Sequence, residues 1–400
     1  MNADSRKPLE GIRVVEVGQL LAGPWAGTLL GYFGAEIIKI EPPETGDPIR
    51  KWRAVKDDTS LWWHSLARNK KCVTLDLKAD KGRQILAELI NKSDVLIENF
   101  KPGVMEKWGL GPDVFKQTNP GLIYTRISGY GQTGPYAKKP GFASVCEGFG
   151  GFRYVNGFPG DPPVRPNLSI GDTLAGMHAA MGILLAYINR ERQDGGGQVV
   201  DVSIFESIFN LLEAVVPEYS GAGLIREPSG STLTGIVPSN TYRCGDDKLI
   251  VIGANTESMF KRLSEAMGVS EMAEDPRFQG NANRVEHQAE IDGKVAEWTS
   301  TLTSGEALSK LDDAGVAAGP IFSVADMFED PQYKARELLE EITINGEPLH
   351  IPAIVPRLND TPGNTEWSGP GVGSHNGEIF RDLLGYSADD TEALHADGVI

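Results

Sequence analysis

Long hydrophobic runs are missing from this 400-residue sequence, in which no apolar stretch reaches the roughly 18 residues that a membrane-spanning helix needs. The first residues, MNADSRKPLEG, contain no apolar segment like that of a secretory signal. We therefore expect neither a membrane span nor a cleaved leader.

Cysteine is also scarce. Cys72, Cys146 and Cys244 are scattered and form no CxxC pair, which argues against a disulfide framework or a zinc site. This usage favours the cytoplasm or another reducing compartment. No two of the six histidines stand about two to five residues apart, the spacing typical of metal ligands, so we expect no metal site.

Basic residues are outnumbered, 38 Lys and Arg against 55 Asp and Glu, and the net charge is −17. So acidic a chain has no bulk attraction for nucleic acid or an anionic membrane. Phosphate binding would need a few local cations, such as those of the run Arg68–Lys71. That run is either a phosphate clamp or a solvated charge run.

Several nucleotide and hydrolase motifs are absent. The glycines of the loop Gly18–Pro24 follow a GxxxxG spacing without a following Lys-Ser/Thr, so the loop is neither a dinucleotide fingerprint nor a P-loop. A phosphate-binding loop or an ordinary strand-to-helix turn both remain open. The lack of these motifs disfavours a dehydrogenase or a CoA ligase, and no GxSxG elbow indicates a serine hydrolase.

Strand and helix patterns alternate over the first 130 residues and predict an open α/β domain with a parallel sheet. The predicted strands are 12–17, 36–40, 72–77, 94–98, 122–127 and 198–204. Helices are predicted at 25–33, at 80–92, from Asp172 and from Phe205. A smaller α+β section follows, with a strand at 249–254 and helices near 257–267, 285–300 and 305–314. Two strands within 341–356 and a helix near 377–384 end the chain, and loops or connectors are expected at 128–171, 217–247 and 320–340.

Asp172 follows Gly171 at the start of a predicted long helix. One interpretation is an N-cap, the usual role of Asp at such a position. The other is a nucleophile, because a helix N-terminus favours an ionised carboxylate and a carboxylate can attack an activated acyl group. The local pattern leaves both open.

An ordered set of motifs closely resembles the family III CoA-transferases, which include formyl-CoA:oxalate, succinyl-CoA:carboxylate and carnitine CoA-transferases and α-methylacyl-CoA racemase. The similarity covers essentially the whole chain. Its motifs are Leu9–Val15, Leu21–Pro24, Gly34–Glu41, Asn69–Lys71, Leu75–Lys78, Glu98–Gly103, Gly129–Pro135, Gly171–Asp172, Asp275–Phe278, Gly319–Pro320, Asp330–Pro331 and Gly373–His375.

The resemblance implies an α/β fold with a Rossmann-like open parallel sheet in a large domain plus a smaller α+β domain. The expected limits are 1–215 for the first part of the large domain, 225–330 for the small domain and 335–400 for a return segment. The family also implies a homodimer whose two subunits interlock like chain links.

The family's catalytic aspartate matches Asp172. The implied reaction moves CoA from a succinyl-, acetyl- or formyl-CoA donor to a small carboxylate, either a dicarboxylate or an oxalate-like acid. Asp172 would form an aspartyl anhydride and then an aspartyl-CoA thioester. Coenzyme A and acyl-CoA enter as substrates, with no tightly bound cofactor and no metal.

Contacts with coenzyme A carry over from the family to a defined set of positions. They are Gln19, Leu21, Leu75, Lys78, Asn99, Phe100, Lys101, Lys107 and Phe142. Two of these positions depart from formyl-CoA transferase: Leu21 replaces a Gln, whose polar role Gln19 would take, and Lys107 replaces an Arg. Outside this set, Pro42 also replaces an Arg of that enzyme. The glycine-rich lid of that enzyme has no equivalent run in 225–245, and Gly235–Pro238 is closer to the dicarboxylate-using members.

Two alternatives stay open beside the transferase. A racemase needs a second acid–base group opposite the aspartate, and the sequence has Phe142 and Ala143 where that branch carries His. The other alternative is a non-catalytic CoA-binding protein. Arg50, Trp52, Trp62 and Trp63 are plausible elements of an acid pocket, although the tryptophans could equally belong to the core.

Overall fold

Thirteen β-strands and seventeen α-helices lie within residues 6–193 and 195–400, the part of the chain that this computed structural model describes. The strands are β1 Arg13–Glu16, β2 Glu36–Glu41, β3 Val55–Lys56, β4 Thr59–Ser60, β5 Lys70–Thr74, β6 Val95–Glu98, β7 Ile123–Ser128, β8 Val199–Ser203, β9 Ser239–Arg243, β10 Leu249–Gly253, β11 Ala317–Pro320, β12 Leu339–Ile344 and β13 Glu347–Pro352.

The helices are α1 Ala22–Tyr32, α2 Leu61–Leu66, α3 Asp80–Asn91, α4 Val104–Lys107, α5 Pro112–Thr118, α6 Ala143–Phe149, α7 Phe152–Val155, α8 Ile170–Arg192, α9 Ile204–Phe209, α10 Val215–Ala222, α11 Glu257–Ala266, α12 Asn281–Glu286, α13 Gln288–Ser300, α14 Ser304–Asp313, α15 Val324–Glu329, α16 Pro331–Ala335 and α17 Ala388–Ala396. Short 3₁₀ segments cover Pro48–Lys51, Ser270–Ala273 and Pro276–Phe278, and a π-helical segment covers Glu378–Leu383.

The chain divides into two units. The first comprises the part up to Phe152 together with Pro166–Glu213 and Lys334–Ile400. The second comprises Arg153–Arg165 and Ala214–Tyr333. The domain limits inferred from the sequence stay a prediction.

A six-stranded parallel sheet forms the centre of the first unit, in the order β5-β2-β1-β6-β7-β8. Val14 of β1 is in register with Ile37 of β2 and with Val95 of β6. When the six strands are numbered along the chain, their order in the sheet is 3-2-1-4-5-6, which is that of a doubly wound sheet. The topological switch point lies between β1 and β6. The predicted Rossmann-like open parallel sheet is therefore confirmed.

Both faces of this sheet are covered, because parallel strands bury apolar side chains on each side. Val14, Ile37 and Ile97 belong to the core cluster that contains residues of α1 and α8. Their neighbours Val15 and Ile38 belong instead to the cluster built on α3 and the end of the chain. Alternation along each strand thus divides the core of the first unit into two layers.

The long helix α8 packs through small side chains. Ala175, Gly176 and Ala179 are buried, and a Cβ added to Gly176 would lie 2.7 Å from the carbonyl oxygen of Ala22. This close approach to α1 leaves no room for large side chains. The large apolar residues at helical spacing on α8 are exposed instead: Met177, Met181, Leu184 and Ile188.

In the second unit, an antiparallel sheet of β11-β10-β9 carries the core. Ile250 and Ile252 of β10 pack with Leu263 of α11, Val295 of α13 and Leu311 of α14. The predicted α+β character of this section is confirmed.

Regular structure also occurs in segments that the sequence pattern presented as loops or connectors. Helices α6 and α7 lie within 128–171, α10 overlaps and β9 lies within 217–247, and α15 and α16 lie within 320–340. The chain also ends in a further helix, α17. These elements are short, so tertiary contacts decide their conformation more than any periodic pattern does.

Among the described residues, no helix combines the length and hydropathy that crossing a bilayer requires.

His375 connects the end of the chain to β5. The ring Nδ1 of His375 accepts a hydrogen bond from the Cys72 backbone N–H at 3.1 Å. The backbone N–H of His375 donates to the Cys72 carbonyl. Burial lowers the pKa of His375, with Lys71 also lowering it and Glu378 opposing the shift. The ring must be neutral for Nδ1 to accept, so protonation breaks this contact.

We expect acidification to weaken the first unit. Because the folded-state pKa of His375 lies below its unfolded value of about 6.5, stability is lost as pH falls through that value toward the folded pKa. His375→Gln keeps an acceptor but does not titrate. The urea midpoint should therefore fall less between pH 7.5 and 5.5 in this variant than in the wild type. An equal fall in both proteins would contradict the prediction.

Candidate active site

Asp172 lies in the first turn of α8. Ser169 occupies the N-cap position and Ile170 is the first helical residue, so Asp172 is the third residue of the helix. The N-cap interpretation is therefore wrong. The half-buried carboxylate still lies at the positive end of a 23-residue helix, where the backbone dipoles favour the ionised form.

Glycines hold neighbouring backbones close to this turn. A Cβ on Gly129 would lie 2.7 Å from the Cα of Gly141, and one on Gly171 would lie 3.3 Å from the Cβ of Ala143. The Cys146 Sγ donates to the Gly129 carbonyl at 3.3 Å. The segment that follows β7 is thereby packed against the start of α8, and larger side chains would separate the two.

Two acidic residues and a thiol meet at this point. Burial first, and then the negative charges of Asp172 and Glu147, raise the pKa of Cys146 to about 11. This thiol stays protonated at neutral pH and is a poor nucleophile. The buried Glu147 carboxylate accepts from the Gly171 N–H at 3.5 Å, which attaches α6 to the first turn of α8.

The loop after β1 lies at the switch point of the sheet, where the predicted contacts Gln19 and Asn99 meet. Asn99 Oδ1 accepts from the Gln19 N–H at 2.9 Å, and Asn99 Nδ2 donates to the Gln19 carbonyl at 2.8 Å. The Asn99 amide thus fixes the backbone of Gln19. Leu21, the next predicted contact, is buried at the end of this loop.

The remaining predicted contacts with coenzyme A lie mostly at the carboxyl ends of β5 and β6. Leu75 is only 1% exposed and its N–H donates to the Glu41 carbonyl, so it offers a ligand almost no surface. Lys78 and Lys101 are exposed and follow the two strands, which end at the same edge of the sheet. Phe100 packs edge-on against Trp108 with ring centroids 5.1 Å apart.

Lys107 is an exposed residue at the end of α4. The segment that carries it is anchored from β7, because Arg126 donates to Glu98 at 2.8 Å and to Glu106 at 2.7 Å. Burial raises the pKa of Glu98 to about 7 against the opposing influence of Arg126. The motif Glu98–Gly103 contains one member of this network, but no sequence pattern pairs Glu98 with Arg126 of the neighbouring strand.

Phe142 is the N-cap residue of α6 and is 69% exposed. Its side chain carries no proton that could be exchanged. It therefore offers an apolar surface near the start of α8 and no acid–base group.

A cavity of about 480 Å³ opens beside the first turn of α8. Its lining is formed by Leu21, Arg53, Trp62, Leu168, Ser169, Ile170, Thr173 and Leu174. The lining residues Ile170 and Thr173 flank Asp172 in the same helical turn. Most of the wall is apolar, and Arg53 supplies its positive charge.

Arg53 was not singled out by the sequence, although the neighbouring Arg50 and Trp52 were. The Arg53 guanidinium lies 4.8 Å from the ring centroid of Trp62, which holds the long side chain at the cavity. Arg50 is buried instead: it pairs with Glu41 at 2.7 Å and stacks on the buried Trp63. Trp62 is thus the tryptophan that lines the cavity, and Trp63 belongs to the core.

The run Arg68–Lys71 is neither a phosphate clamp nor a solvated charge run. Lys70 is fully buried and donates to both oxygens of Glu16, at 2.8 and 3.1 Å. Arg68 is buried as well, donates to the Ser65 and Pro352 carbonyls and pairs with Glu340 at 3.4 Å. Lys71 pairs with Glu36 and Glu378. These cations are neutralised within the protein and cannot serve a phosphate group.

Clusters of three or more His, Cys, Asp or Glu side chains that could hold a metal ion do not occur in residues 6–193 and 195–400.

The known proteins that are similar to this chain in sequence are CoA-transferases. The sequence profile of CoA-transferase family III matches residues 9–376. A succinyl-CoA–D-citramalate CoA-transferase of Chloroflexus aurantiacus is 46% identical, over 98% of this chain and 98% of the relative. The alpha subunit of a succinyl-CoA–L-malate CoA-transferase from Chloroflexus aurantiacus is 42% identical, over 98% of this chain and 92% of the relative.

A solved structure is also similar to this chain in both fold and sequence. A CAIB/BAIF family protein from Brucella suis matches with a TM-score of 0.82 at 33% identity, covering 95% of this chain and 100% of that one. The chain therefore belongs to CoA-transferase family III and is a CoA-transferase.

Proposed function

We propose that this enzyme transfers CoA from succinyl-CoA to a small dicarboxylate, with Asp172 as the nucleophile. The observation that carries the proposal is the placement of Asp172 in the turn that lines a largely apolar cavity with the cation of Arg53. Relatives named for citramalate and malate support a diacid substrate. A carbon chain suits the apolar wall, and the second carboxylate of a diacid suits Arg53.

The proposed reaction keeps the acyl group activated throughout. The Asp172 carboxylate attacks the thioester carbonyl of the donor and expels the CoA thiolate, which leaves a mixed anhydride. The thiolate then attacks the Asp172 carbonyl, releasing the donor acid and forming an aspartyl-CoA thioester. Backbone N–H groups at the surrounding glycines would stabilise the oxyanions.

The second half of the reaction reverses these steps with a different acid. The acceptor carboxylate attacks the aspartyl thioester and expels the thiolate, which gives a new anhydride. The thiolate attacks the acceptor's carbonyl, so that the acceptor leaves as its CoA thioester and Asp172 is regenerated. No ATP is consumed, since one thioester is exchanged for another.

Coenzyme A would lie along the carboxyl edge of the sheet. Lys78, Lys101 and Lys107 are exposed there and would pair with its phosphates, while Phe100 and Phe142 offer apolar surface. The loop with Gln19 and Leu21 would bring the thioester end toward Asp172. Asn99 would contribute by holding that loop, and Leu75 by packing in the core beneath the carboxyl edge.

A racemase is the second candidate, and Phe142 disfavours it. A two-base exchange at the α-carbon needs a proton-carrying group on each face of that carbon. The exposed ring of Phe142 supplies none.

We expect Asp172→Ala to reduce CoA transfer by more than about 10³-fold, because it removes the nucleophile. Binding of CoA should persist, since the proposed phosphate contacts lie elsewhere. Incubation of the wild type with succinyl-CoA and hydroxylamine or borohydride should modify the peptide that contains Asp172, as read by mass spectrometry. Retained turnover in Asp172→Ala would sink the covalent mechanism.

Arg53→Ala should raise KM for dicarboxylate acceptors by about 10- to 100-fold, because the variant loses one charge-assisted hydrogen bond to the acceptor. Monocarboxylates should be affected little, because they lack the distal charge. Arg53→Lys, which keeps the charge without the fork, should lie between Arg53→Ala and the wild type. A panel of acids with succinyl-CoA as donor, read by mass spectrometry, measures this. Equal changes for both acid classes would refute the role of Arg53.

We also propose a homodimer, supported by the exposed apolar face of α8. Met181→Glu and Leu185→Glu place a charge on that face and should lower the molar mass measured by light scattering toward that of one 43.2 kDa chain. Gln84→Glu, at an exposed polar position of α3 and away from that face, is the control. A wild type that is already monomeric would exclude the dimer.

A further inference from the structure

The short loop Gly18–Leu21 joins β1 to α1 at the switch point of the parallel sheet. Ligands of doubly wound sheets bind in the crevice at such points, outside the carboxyl ends of the strands. Three consecutive residues of this loop are each held by a side chain from another part of the first unit. The loop is therefore fixed before any substrate arrives.

The first two attachments come from the neighbouring strands. Lys39 Nζ donates to the Gly18 carbonyl at 2.6 Å from the buried side of β2. Asn99, directly after β6, binds both the N–H and the carbonyl of Gln19. Together they fix the peptide groups on either side of Gln19.

The third attachment falls on a residue in an unfavourable conformation. Leu20 has a φ of +65°, in the left-handed region that a leucine rarely adopts. Its N–H donates to both carboxylate oxygens of Asp47, at 3.1 and 3.2 Å. The carboxylate of Asp47 thus holds the strained residue.

Asp47 is itself fixed by an ion pair and by hydrogen bonds. It is buried, it pairs with Lys39 at 2.9 Å, and its own N–H donates to Glu41 at 2.7 Å. It also accepts from the Ile49 N–H at 3.0 Å. Rotation of the Asp47 side chain away from Leu20 would also remove one of the counter-ions of Lys39.

The residue after Leu20 reaches the candidate active site. Leu21 lines the cavity beside the first turn of α8, and its carbonyl accepts the Trp25 N–H that begins α1. A left-handed residue reverses the local direction of the backbone, so the conformation of Leu20 determines where Gln19 and Leu21 lie relative to that cavity.

We propose that Asp47 is a positioning residue, which holds Leu20 in its left-handed conformation and thereby places Gln19 and Leu21 for the acyl transfer at Asp172. This inference rests on the proposed function for its readout. Asp47 touches no substrate in this role and acts through the backbone of the loop.

A matched pair of substitutions tests the conformational part. Asn tolerates positive φ, whereas the β-branched Val strongly disfavours it, although Val is chemically closer to Leu. We expect Leu20→Val to lower kcat about 10-fold or more relative to Leu20→Asn, a size typical of misplaced reacting groups, with little change in KM for succinyl-CoA. Equal kcat values, or a larger loss in Leu20→Asn, would overturn the proposal.

Asp47→Asn tests the clamp itself. The amide is isosteric but accepts with one oxygen only, so hydrogen exchange at the Leu20 amide should accelerate and kcat should fall. Glu366→Gln, an exposed acidic position of the same unit, is the control and should change neither. Faster exchange with an unchanged kcat would overturn this inference alone.

Two outcomes separate the proposed function from the role of Asp47. Absence of CoA transfer in the wild type with every acid of the panel would overturn the proposed function and this inference with it. If Asp47→Asn does not fold, the Leu20 pair still decides, because neither substitution removes a buried charge.

Discussion

The buried ion pairs at the carboxyl ends of β1 and β2 are the interaction on which the site depends. Lys39 lies between Glu16 and Asp47, and Lys70 pairs with the same Glu16. Burial works to lower the pKa of Lys39, but the charges of Asp47, Glu16 and Glu41 outweigh it and raise the pKa. Removing one partner of a buried pair typically costs about 3–5 kcal/mol, because the other charge is left uncompensated. Lys39 and Asp47 also bind the backbone of the loop before α1, so charge balance in the core and loop geometry at the switch point cannot change independently.

A second constraint, close packing between backbones, acts on Asp172. Gly176 admits α1 against α8, and Gly129 admits the segment around Gly141. Small residues in both contacts let three chain segments meet within the first two turns of α8. The result is a rigid surround for a carboxylate that itself remains half-buried. That arrangement suits a nucleophile, which must be ionised and accessible while its neighbours stay fixed.

The sheet could be predicted from the sequence because β1, β2, β6 and β7 are dominated by β-branched and apolar residues and alternate with helical patterns. The order of motifs likewise singled out Asp172. The buried charges could not be predicted, since Lys39 and Lys70 are normally solvent-exposed residue types and their partners come from other strands. The same long-range pairing explains why the burial of Arg68 and Lys70 could not be predicted. Arg53 was missed for a related reason: it is one exposed arginine among many, and only the fold brings it beside the first turn of α8.

The cations discussed above form a buried group and an exposed group. This separation explains how so acidic a chain can bind anionic substrates. With a net charge of −17, the long-range field repels both a CoA thioester and a dicarboxylate. Lys39, Lys70 and Arg50 cannot relieve this, because their charges are neutralised by carboxylates inside the protein. In the proposed site, exposed cations at the carboxyl edge and at the cavity, such as Lys78, Lys101 and Arg53, would supply the local attraction. Because these groups are exposed, their attraction is screened by salt, whereas the buried pairs that position the loop are screened much less. Ionic strength should therefore act on substrate binding and leave the geometry of the site unchanged.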